Sequence, residues 1–108
     1  MTELPKPPST HTEFVERYPE LGQAWEMIAE GGRSGPLDDD TARLVKLGVA
    51  IGAMREGSVH ASVRKAKAQG IAPEAIEQVV ALSAGTVGLP AVVAAWTWVR
   101  EVMQPPPE

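Results

Sequence analysis

Apolar residues recur along this chain at helical spacing, and no stretch alternates as a half-buried strand would. Phe14, Val15, Tyr18, Leu21, Trp25 and Ile28 mark a first helical region, which Thr10 or Thr12 can cap. Pro19 either kinks that region or starts a second segment, since proline lacks the amide donor of a helix interior. Gly31-Gly32 is expected to end it. A second helix is predicted from Asp39 to Met54, behind the turn Gly35-Pro36-Leu37-Asp38. Its aspartates suit free helix amides and the positive end of the helix dipole. Leu44, Leu47, Gly48 and Ile51 fall on one stripe; Val45, Val49 and Gly52 fall on another. Such a helix is apolar on most sides and calls for burial on most sides.

The third helix is predicted through Glu56-Gly57-Ser58-Val59-His60-Ala61-Ser62-Val63-Arg64, closing at Gly70. Pro73 and Glu74 open a fourth, with Ile76, Val79, Val80 and Ser83 as its face. Gly88-Leu89-Pro90 breaks the chain into a fifth helix, Pro90 to Met103, stopped by Pro105-Pro106-Pro107. The fold class is therefore all-α, a bundle of five helices, or six if Pro19 divides the first region. Residues 1–11 read as a Pro-rich disordered arm, 12–103 as one helical domain, and 104–108 as a Pro-rich tail. The second and fifth helices carry more apolar face than a small monomer buries, so oligomerisation is expected.

Composition narrows the function. A net charge of -4 and no basic stripe argue against nucleic acid as a partner. The uncharged run from Gln78 to Val99 is long enough for a membrane span, but Ser83, Gly85, Thr86, Gly88 and Pro90 interrupt it; two buried helices are the better account. No apolar signal region follows the polar N-terminus, so a cytoplasmic location is expected. The chain has no cysteine, which removes disulfides, thiolate metal sites and thiol redox chemistry of its own. Its two histidines, His11 and His60, have no carboxylate cluster in sequence. Neither a metal nor any other cofactor is expected.

The order of punctuation resembles a known family. Gly35-Pro36-Leu37-Asp38 with Thr41 and Leu44 is followed by Val63-Arg64-Lys65-Ala66 and Gly70. Pro73-Glu74 with Ile76-Glu77 and Val79 comes next, and Gly88-Leu89-Pro90-Ala91 last. This pattern, over about residues 20 to 103, is similar to the carboxymuconolactone decarboxylase family, whose all-α fold is shared with alkyl hydroperoxidase D. The resemblance implies a homo-oligomer, a trimer or hexamer, with interwoven helices. It also implies a site at the start of the third helix. Peroxidase-type members carry Cys-x-x-Cys-x-x-x-His there, and those positions fall on Arg55, Ser58 and Ser62. The decarboxylase branch has a histidine at the place of Ser62 and an acid near Ser58. This chain shares only the arginine.

Candidate chemistry is thus confined to a few side chains. A decarboxylase needs a proton donor for the carbanion and a cation for the carboxylate. Glu56 and His60 are the candidate catalytic groups, and Arg55, Ser58 and Ser62 the candidate pocket for a small organic acid. Each has a plainer alternative. His60 can be a surface or interface residue paired with Glu56 four positions earlier. Ser58 and Ser62 can bond back to helix carbonyls, and Arg55 can cap the carbonyls of the preceding helix. Trp25, Trp96 and Trp98 read as core and interface aromatics, with one of the last two available to line a pocket. Two functions remain open: decarboxylation of a small carboxylated lactone or related acid, or a catalytically inactive helical oligomer that binds or builds.

Overall fold

The computed structural model describes residues 9–104, and these form six α-helices with no strand among them. Their helices fall into two compact units, α1–α2 and α3–α6.

The first unit is a pair. α1 runs Ser9–Arg17 and α2 Pro19–Arg33, so the predicted first region is divided at Pro19, which sits in the first turn of α2 where its missing amide costs nothing. The helices meet closely at Gly22: a Cβ there would lie 3.1 Å from Val15 Cβ. Phe14 and Tyr18 stack with ring centroids 5.2 Å apart. Gly31-Gly32 does not end α2, which continues to Arg33. Two glycines tax a helix by only about 1 kcal/mol each, and the Arg33–Glu30 ion pair spans that last turn. Trp25, expected in the core or an interface, is exposed in the single chain, as are Leu21 and Ile28.

The second unit holds the core. α3 spans Asp39–Gly52, α4 Glu56–Ala68, α5 Pro73–Val87 and α6 Leu89–Met103. The predicted elements are all present, with α3 ending two residues early. Asp38 caps α3 by accepting from the Thr41 amide at 2.7 Å, and this bond holds its carboxyl below the ordinary value of 3.8. Gly70, at φ +81, closes α4: its amide donates to Lys67 O, and that of Ile71 reaches back to Ala66 O. Gln69 then ties the end of α4 to the start of α3, donating to Asp40 and accepting from Arg43.

Each helix contributes one stripe to the interior. Leu47 and Ile51 come from α3, Val59, Val63 and Ala66 from α4, Ile76 and Val80 from α5, and Val92, Ala95 and Val99 from α6, with Ile71 from the α4–α5 turn. Trp96 and Trp98 pack against this cluster from its edge. The second stripe of α3 stays outside: Val45 is 51% and Val49 66% exposed. No helix among the described residues is long and apolar enough to cross a membrane.

Candidate functional site

The positions singled out by the resemblance lie at the start of α4 and along it. Arg55 is the residue before α4; its main-chain amide donates to Ala50 O, so the backbone does the capping that its side chain was a candidate for. Among the described residues, its guanidinium makes no hydrogen bond. Ser58 is exposed on the first turn of α4. Ser62 is turned inward, 8% exposed, on the same face as Val59, Val63 and Ala66. Neither serine bonds back to its helix; Ser83 and Thr97 do so, to Val79 O and Val93 O. An arginine and two serines offer a cation and two hydroxyls, and none of the three is a carboxylic acid or imidazole that could donate the proton.

His60 is placed differently. It lies one turn beyond Glu56 on α4, as the spacing predicted, but its bonded partner is Glu101 of α6, with Nε2 to Oε2 at 3.0 Å. Glu56 completes the group: one ligand atom from each of Glu56, His60 and Glu101 lies within 4.8 Å of the others. The imidazole is largely covered, at 23% exposure, and Glu101 is half exposed. Sequence spacing could not find Glu101, which is 41 residues away and sits in an ordinary-looking Arg-Glu pair near the end of α6. Lys67, next along α4, is occupied elsewhere, donating to Val102 O at 3.0 Å.

A cationic face lies across α3 and α4. Lys65 has its ammonium held below its ordinary range, first by burial and then by repulsion from Arg43, Lys46 and Arg64.

Two hollows mark the α3–α6 unit. The larger, about 560 Å³, is an open groove between α3 and α5, walled by Leu44, Val45, Val79, Leu82 and Val87, with Gly48 and Gly52 on the α3 side. No acid or base lines it. The smaller, about 210 Å³, has Trp96 and Arg100 in its wall, the guanidinium 5.9 Å from the indole. Arg55, Ser58, His60 and Ser62 line neither.

The fold and these surfaces define a small all-α protein with an uncharged aliphatic groove. A family model described as "Carboxymuconolactone decarboxylase family" matches residues 19–101, from the start of α2 into the last turn of α6. The chain belongs to that family. No curated protein and no solved structure matches it significantly.

Proposed function

We propose that this chain acts as a homo-oligomeric helical module of its family, assembled through the α3–α5 groove, without the family's chemistry at the family's positions. The groove is the observation that carries this reading. Its wall is aliphatic and uncharged, and Val45 and Leu82 project from it at 51% and 72% exposure. A partner chosen by charge would find no handle there. A second copy brings an aliphatic face of the same chemistry, so a contact between copies needs no charged partner. The trimer or hexamer of related proteins is the expected outcome.

Analytical ultracentrifugation tests it. The 11.5 kDa chain is expected to sediment as a multiple of its own mass. Val45→Glu with Leu82→Glu is expected to give single chains of unchanged helical content, since both side chains already lie outside the core. Wild type at single-chain mass, or a double variant that still assembles, would sink the reading.

One observation favours a second reading, decarboxylation of a small carboxylated lactone or related acid. Glu56, His60 and Glu101 are the only three such groups brought together among the described residues. In that chemistry the bond to the carboxyl carbon breaks, carbon dioxide leaves, and the electron pair left on carbon takes a proton. His60 is the candidate donor, and Arg55, one residue before Glu56, the candidate carboxylate holder. Ultraviolet-monitored turnover of γ-carboxymuconolactone, abolished in His60→Ala, would support this reading. No turnover by wild type would end it.

A further inference from the structure

We propose that Glu56, His60 and Glu101 form a binding site for one divalent first-row metal ion, of which zinc is the natural probe. Glu56 and His60 are four apart, so both project from one face of α4 a single turn from each other. Glu101 meets them from α6, and α4 packs directly on α6. The site is thus built from two helices locked by the core, not from a loop.

The donor set fits. One imidazole nitrogen and two carboxylate oxygens are ligands that zinc and its neighbours accept, at about 2.0–2.2 Å from the metal. Around a tetrahedral ion such ligands lie about 3.3 Å from one another. His60 Nε2 and Glu101 Oε2 are already 3.0 Å apart, and the Glu56 oxygen lies within 4.8 Å of both. The remaining gap is on the side of Glu56, whose side chain is exposed and free of hydrogen bonds among the described residues.

Charge points the same way. Glu56 and Glu101 bring two carboxylates to one imidazole, of which only Glu101 is bonded to it, and the Lys67 ammonium, further along α4, is held by Val102 O. A dication neutralises both carboxylates at once. Three protein ligands leave the ion an open position, as zinc centres that bind water or an oxygen ligand do. The half-exposed Glu101 gives the ion a way in from solvent.

The test is calorimetric titration of the full chain with zinc chloride. The sequence makes it discriminating, because there is no cysteine and His11 is the only other histidine. Wild type and His11→Ala are expected to take up one zinc per chain with equal affinity. His60→Ala and Glu101→Gln should bind at least about 10-fold more weakly, with circular dichroism confirming the fold. Absence of saturable uptake by wild type would overturn the site. So would equal affinity in His60→Ala, loss in His11→Ala, or magnesium competing as an equal. The readout is binding alone, so it stands apart from both assembly and turnover.

Discussion

Leu47→Ala should remove about 2–5 kcal/mol of stability, the cost of emptying a fully enclosed leucine site. Leu47 has no exposed surface and sits in the middle of α3, which packs on α4 and α5 and shares one core cluster with α6. The other buried residues of its cluster are valine, alanine and isoleucine, which are too short or too stiff to fill the space readily. A domain of this size has only about 5–15 kcal/mol in total, so the loss is a large share. At roughly 4–8 °C per kcal/mol, the thermal midpoint should fall by well over 10 °C, read by circular dichroism at fixed protein concentration. Val45→Ala is the internal comparison, one stripe away on the same helix and 51% exposed. It should move the midpoint little in the single chain. Similar losses from the two substitutions would mean that the core has been placed on the wrong face of α3.

That face is where sequence reasoning met its limit. Period and punctuation located every helix of the α3–α6 unit, because capping aspartate, first-turn proline and left-handed glycine act within a few residues of themselves. They also placed Leu47 and Ile51 together. They did not decide which of two apolar stripes on α3 turns inward, since both satisfy the same period. Gly31-Gly32 misled for the opposite reason: a local breaker was overridden by its neighbours. The site was legible only in part. Glu56 and His60 are a same-face pair by arithmetic alone, but Glu101 joins them through packing of α4 on α6. Arg55, Ser58 and Ser62 were singled out by resemblance, which gives a position along the helix and not the direction in which each side chain is buried. Ser62 shows this most directly, lying buried on the core side of α4 while Ser58 is exposed.

One substitution made at two neighbouring glycines should change stability in opposite directions. Gly88 joins α5 to α6 with φ 88 and ψ 156, a region essentially reserved for glycine. Its amide donates to Ala84 O and its carbonyl accepts from Val92 N, so it finishes one helix and starts the next. No atom lies within 4 Å of where a Cβ would stand, so the cost of Gly88→Ala is backbone strain alone, about 1–3 kcal/mol. Relaxing that strain would swing α6 and pull Val92, Ala95 and Val99 away from the core. Gly85 lies three residues earlier, inside α5, with the same free space around its Cβ position but ordinary helical geometry. Gly85→Ala should therefore gain about 0.5–1 kcal/mol, because alanine gives up less backbone freedom on entering a helix. Urea unfolding of the two variants beside wild type reads both signs at once. If Gly88→Ala were neutral, the α5–α6 connection would not require that conformation, and the close register of the two helices would have to come from side-chain packing instead.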